Sequence, residues 1–171
     1  DTAVAAGARG INMSLGGEAP NSRLRAAIAN AAAAGVIIVI SAGNDSRANP
    51  DPFARIAADP SARGRVIIAG SVNDRDALSD FSNRAGSFAA YYLATLGESV
   101  RSFDHTGTPY LFSGTSYAAP GISGAVALLA DAFPGLTADQ IIDILFRTAR
   151  DAGALGDDAV VDLSLHNVDG P

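Results

Sequence analysis

The 171-residue chain has no cysteine, no tryptophan and only two histidines, and all twelve of its basic residues are arginine. Each absence removes a class of chemistry. Without Cys there is no disulfide, thiolate nucleophile, Cys-ligated zinc or iron–sulfur cluster. Without Lys, Schiff-base chemistry, the P-loop lysine and a Ser–Lys dyad are excluded. The two histidines, His105 and His166, lie far apart in sequence, which argues against a His-rich metal centre. Acidic residues outnumber basic ones by 18 to 12, the net charge is −6, and no basic stripe of the kind that binds nucleic acid is visible. No run approaches the ~18 consecutive apolar residues that a membrane span needs. No signal peptide opens the chain; it begins at Asp1 and reads as a processed, truncated or excised piece of something longer.

What remains is a globular composition, 48% hydrophobic, at a length that suits one domain with a sizeable core. Gly10 to Leu15 reads as a short strand closed by Gly16-Gly17. An Ala-rich stretch from Asn21 to Ala34 has a capping residue at its start and Gly35 at its end, as a helix should. Val36 to Ile40 is a β-branched run without polar alternation, the pattern of a strand buried on both faces of a parallel sheet. Strand, helix and strand in close succession make a βαβ unit. A turn-rich loop follows from Ser41 to Pro60, then a strand at Val66–Ala69. Phe88–Leu96 and Thr108–Phe112 are candidate strands. Ser116 to Ala132 is apolar almost all round and predicts a central, closely packed helix, with Pro120 acceptable only in its first turn. Thr137 and Gln140 have capping-box spacing and open a helix running to about Arg150. The tail from Asp151 is acidic and Gly-rich.

Three segments could carry chemistry. In Gly114-Thr-Ser116-Tyr-Ala-Ala-Pro120 a serine stands where a small-residue loop enters the apolar helix. A helix N-terminus offers unpaired N–H groups and partial positive charge, which suit a hydroxyl that becomes an oxyanion-bearing nucleophile. A plain capping serine is the competing reading. Asn44 in Ser41-Ala42-Gly43-Asn44 lies just past a strand's carboxyl end, where open parallel sheets bind ligands. Its amide could donate to a developing oxyanion, or it could simply be a turn residue. Ser14-Leu15-Gly16-Gly17 also follows a strand, and its glycines leave backbone groups open for an extended peptide.

In this order the three segments resemble the subtilisin-like serine proteases, or subtilases, over about Arg9 to Leu163. The resemblance implies a parallel sheet with helices on both faces, lacking the N-terminal strands, so that residues 1–171 would be the C-terminal portion of one catalytic domain. It implies Ser116 as nucleophile, with Asn44 and the Ser116 N–H as oxyanion donors. Ser14, Leu15 and Gly16 would pair with substrate backbone, and Ser41, Ala42 and Gly43 would wall the pocket for the residue before the cut. The Gly and Ala lining implies a roomy, apolar pocket. Phe81-Ser-Asn83 matches a structural segment of the family. The family order is Asp, His, Ser. Only thirteen residues precede Ser14, so the catalytic Asp and His are expected on a segment outside this chain, and the chain alone is expected to be inactive. His105 is not expected to replace the missing base. The family often binds calcium, but no site can be placed in the sequence. A location outside the cytoplasm is also expected, from the family and the lack of cysteine.

Two other readings stand beside this one. Gly-Thr-Ser116-Tyr-Ala is close to the nucleophile elbow of α/β-hydrolases, and Asp157, Asp158 or Asp162 followed by His166 would give the esterase order. The chain could also be a non-catalytic half-domain that acts only by association. The strand at residues 11–15 would then be an uncharged sheet edge, open to pairing with a second copy.

Overall fold

The computed structural model describes residues 1–151 together with the short strand at 161–162. A four-residue helix, α1 (Thr2–Ala5), leads into β1 (Gly10–Met13). Helix α2 (Ser22–Ala33) follows, with Asn21 as N-cap: its side chain accepts from Leu24 N at 2.9 Å. The helix stops where Gly35 takes φ +80°, a conformation that costs a residue without Cβ little. The chain then forms β2 (Ile37–Ser41), β3 (Val66–Val72), β4 (Tyr92–Leu96), β5 (Val100–Phe103) and β6 (Pro109–Phe112). Helices α3 (Thr115–Ala132) and α4 (Ala138–Thr148) come next, then the two-residue strands β7 (Arg150–Asp151) and β8 (Val161–Asp162).

The main sheet runs β1-β2-β3-β4-β8-β7, parallel throughout except for the β7–β8 pair. Every residue of β2 and β3 is buried, as their unbroken apolar runs predict. The pleat sends alternate residues to opposite faces. Ile38 and Ile40 pack with Ile28 and Ala31 of α2. Ile37 and Val39 pack with Ile122 and Val126 of α3, and with Ile141 and Leu145 of α4. Helices therefore cover both faces, as expected. The capping box of α4 is also as expected: Thr137 N donates to Gln140 Oε1 at 2.9 Å and Gln140 N to Thr137 Oγ1 at 3.3 Å.

Three expectations need correction. Residues 88–91 are not strand: Gly86–Tyr91 forms 3₁₀ turns, and β4 begins at Tyr92. Helix α3 is not buried all round, because Pro120, Gly124, Ala127 and Leu128 face outward, Leu128 with 66% of its surface exposed. Pro120 lies beyond the first turn, as the sixth residue of α3. Lacking an N–H, it cannot bond the Ser116 carbonyl four residues back. That carbonyl accepts from Ser14 Oγ at 2.7 Å instead, so the gap in the helix ladder ties α3 to the end of β1. The strand expected at Thr108–Phe112 forms as β6, outside the main sheet. It pairs antiparallel with β5, a strand the sequence did not reveal.

Among the described residues β1 is a sheet edge, with β2 on one side only. Beside it, Ile11, Ile37, Val39, Val126, Ala127 and Ala130 line a groove of about 470 Å³ between the edge and α3.

Candidate active site

Three strand ends converge at the carboxyl end of the sheet. Ser14-Leu15-Gly16 leaves β1, Gly43-Asn44 leaves β2, and Gly97 follows β4. All lie at carboxyl ends of parallel strands, where side chains and backbone groups can surround a ligand. The loop preceding α3 is drawn into the same place. Gly114 N donates to Gly97 O at 2.8 Å, and Gly114 holds φ +156°, ψ 152°, a region open essentially to glycine alone. A Cβ on Gly97 would fall 2.7 Å from Ser71 Oγ and 2.9 Å from Gly114 O, so only glycine permits this approach.

Ser116 is the second residue of α3 and Gly114 is the N-cap, which sets aside the plain capping role for Ser116. At that position its N–H has no intrahelical acceptor. Among the described residues its hydroxyl has one partner, Ser14 O at 3.5 Å. Asn44 is exposed, yet its amide is oriented from behind. Thr115 N donates to Asn44 Oδ1 at 2.8 Å, and Thr115 Oγ1 donates to the same atom at 2.9 Å. Because a backbone N–H can only donate, the oxygen must face Thr115, and Nδ2 is left for the cleft. Thr115 is wholly buried, and its hydroxyl also accepts from Gly43 N at 3.2 Å. One hydroxyl thus couples the pocket wall to the amide. Thr115 carries no signal in the sequence because its role depends on two adjacent residues, Asn44 and Gly43, 71 and 72 residues away.

The segments assigned to substrate binding face one another. Ser41 Oγ donates to Leu15 O at 3.0 Å and joins them. Leu15 is 48% exposed, and the N–H and C=O of Gly16 take part in no protein hydrogen bond among the described residues. The expected apolar lining needs correction. Asp51, only 8% exposed, lies where Gly16 and Gly43 converge. Its Oδ1 accepts from Asn83 Nδ2 at 3.0 Å and its Oδ2 from Gly17 N at 3.3 Å. The only signal in the sequence was a carboxylate held between Pro50 and Pro52.

His105 sits in the turn joining β5 and β6. That turn is closed by Asp104 Oδ1, which accepts from Thr106 N at 2.8 Å and Thr108 N at 2.9 Å. These bonds, with the Thr106 hydroxyl foremost, hold the Asp104 carboxyl below its ordinary pKa. Only the base of the hairpin approaches α3, where Phe112 stacks on Tyr117 at 5.3 Å. Three residues of strand, roughly 10 Å, separate that base from the turn. Asp157, Asp158 and His166 lie outside the described residues, as does the Asp162 side chain. The esterase reading fails on topology, since an elbow needs a strand of the main sheet before the serine and β6 belongs to a separate two-stranded sheet. Among the described residues there is no group of three or more His, Cys, Asp or Glu that could hold a metal ion. No helix among them is long and apolar enough to cross a membrane.

Comparison with known proteins agrees with this geometry. A profile of the Subtilase family matches residues 1–164. Subtilisin DY of Bacillus licheniformis is 32% identical over 143 residues, covering 84% of this chain and 50% of that protein. The major intracellular serine protease of Bacillus subtilis is 37% identical over 119 residues, covering 70% of this chain and 36% of that one. Among solved structures, a cold adapted subtilisin-like serine proteinase superposes with TM-score 0.74 at 28% identity, over 91% of this chain and 54% of the other. The prenylagaramide maturation protease PagA gives TM-score 0.74 at 25% identity, over 88% and 55%. The chain spans about half the length, or less, of these relatives. With the Gly114–Ser116 turn, the Asn44 amide and the Ser14–Gly16 segment gathered at the carboxyl end of the sheet and the family profile running through them, this chain belongs to the subtilase family.

Proposed function

We propose that the protein carrying this chain is a serine endopeptidase, and that residues 1–171 are the C-terminal portion of its single catalytic domain. The observation that supports this is the pair of hydrogen bonds from Thr115 to Asn44 Oδ1, which fixes the amide oxygen and leaves Nδ2 to donate elsewhere. In the reaction Ser116 Oγ forms a bond to the scissile carbonyl carbon, and its proton passes to a histidine on a segment outside this chain. The carbonyl π pair moves onto oxygen, where Asn44 Nδ2 and the Ser116 N–H hold the charge. Collapse breaks the C–N bond, and the amine leaves with the proton from that histidine. Water then hydrolyses the acyl-serine by the reverse proton path.

The histidine and its aspartate partner are assigned to a segment seated on the β1 edge and the neighbouring groove. An unpaired strand edge beside exposed apolar helix surface is energetically costly, and one added strand would satisfy it. We also place the protein outside the cytoplasm, on its lack of cysteine. Labelling of the full-length protein with a fluorophosphonate tests the enzymatic reading. Ser116 should be modified in the wild type and the label should vanish in Ser116→Ala. An unlabelled Ser116 in folded full-length protein would favour a role by association alone.

A further inference from the structure

Resting on the protease reading, we propose that Asp51 makes the pocket for the residue before the cut select a cation, an arginine or lysine side chain. The carboxylate lies between the two segments that wall the pocket. A Cβ placed on Gly16 would fall 2.5 Å from Asp51 Oδ2, and one placed on Gly43 would fall 2.6 Å from Asp51 Cγ. Both glycines therefore turn their side-chain faces to the same acid, and any larger residue at either position would displace it.

The hydrogen bonds around Asp51 use only part of its acceptor capacity. It accepts from two neutral donors, Asn83 Nδ2 and Gly17 N. An ionised carboxylate has about four acceptor sites, so half remain open. The two donors reach different oxygens, so the position suits a carboxylate, which has an acceptor on each side, where an asparagine would turn its NH2 toward one donor. What a largely buried carboxylate with open acceptor sites lacks is a close cation.

The chain already brings a guanidinium toward that charge. Arg47 Nη1 stands 3.7 Å from Asp51 Oδ1, and Nη2 of the same residue stands 3.6 Å from Asp45 Oδ2. Both separations exceed hydrogen-bond length. The Arg47 side chain is 56% exposed, so solvent screening keeps these pairs weak. Arg47 thus balances Asp51 loosely, and a substrate cation entering between Gly16 and Gly43 can replace it with shorter, charge-assisted hydrogen bonds. Together Asp45, Arg47 and Asp51 leave one net negative charge beside the pocket, which also favours the approach of a cation.

The test uses the full-length protein with two independent readouts. The first is kcat/KM on peptide p-nitroanilides ending in Arg, Lys, Leu or Phe. The second is calorimetric binding of benzamidine, an aryl cation that needs the pocket but no catalysis. The wild type should prefer Arg and Lys. Asp51→Asn should lower the Arg-to-Leu ratio, and weaken benzamidine, by roughly 10- to 100-fold, the scale of a charge-assisted hydrogen bond. Arg47→Ala should strengthen benzamidine binding by removing its competitor. A ratio unchanged in Asp51→Asn, as a purely structural role predicts because all substrates then fall together, overturns the proposal. So does benzamidine binding that ignores Asp51. Failure of Ser116 to label while benzamidine still depends on Asp51 would remove the protease reading and leave the cation pocket standing.

Discussion

Replacing Thr115 by valine isolates the link between the pocket wall and the Asn44 amide. Valine has nearly the shape of threonine, and the site is fully buried, so packing changes little. Two hydrogen bonds are lost: the one Oγ1 donates to Asn44 Oδ1 at 2.9 Å and the one it accepts from Gly43 N at 3.2 Å. The second loss strands a buried N–H, which costs about 1–3 kcal/mol. At roughly 2–4 °C per kcal/mol for a domain of 150–250 residues, the melting temperature should fall by about 2–12 °C. The first loss leaves Asn44 with one anchor, the Thr115 N–H at 2.8 Å. If orienting the amide is worth one neutral hydrogen bond of about 1 kcal/mol, kcat should drop roughly 5-fold with KM little changed. Thr115→Ser keeps the hydroxyl and should recover most of both losses. Calorimetric melting and steady-state kinetics on full-length protein measure the two effects together. A Thr115→Val enzyme with wild-type melting temperature and wild-type kcat would show that the network neither supports the pocket nor aims the amide.

Deleting the amide outright should cost more. Asn44→Ala is expected to lower kcat by about 10²–10³, the range known for loss of an oxyanion donor in a subtilisin, with KM nearly constant; a large KM change at constant kcat would make Asn44 a substrate-binding residue instead. The 171-residue chain by itself should show no peptidase activity, since catalysis falls to about 10³–10⁴ over water once a triad member is gone; casein hydrolysis that Ser116→Ala abolishes would contradict this. The isolated chain should self-associate through the β1 edge by two-fold antiparallel pairing, and light scattering that finds a folded monomer counts against it. Arg65 bonds Asp139 at 2.8 Å and holds that carboxyl below its ordinary value of 3.8. A depressed folded-state pKa contributes stability above the unfolded value and loses it as pH falls through the folded one. The melting-temperature gap between wild type and Asp139→Asn should therefore be full at neutral pH and close in acid; a gap independent of pH would remove the ion pair from the account.

Local pattern was enough for the sheet and for the order of the site segments. The unbroken β-branched run at residues 36–40 can only satisfy itself between two apolar layers, and β2 is buried along its whole length. Asn21 and Gly35, and Thr137 with Gln140, mark helix ends through contacts spanning four residues or fewer, so their spacing alone is informative. Gly-Thr-Ser116 and Ala-Gly-Asn44 were legible for the same reason, each being a turn chemistry written in adjacent residues. What tertiary structure decided was everything joined across the chain. Pro120 looked like a helix-start residue, yet it stands a turn too late, because Ser14, 102 residues away, takes the carbonyl it leaves unbonded. The α3 surface read as buried because hydrophobicity records what a face needs, and it cannot record whether a neighbour is there to cover it. Thr115 and Asp51 carry no local signature: a hydroxyl and a carboxylate become parts of a site only when distant loops bring donors within 3 Å or so. Their roles are properties of the converging strand ends, and no window of sequence contains them.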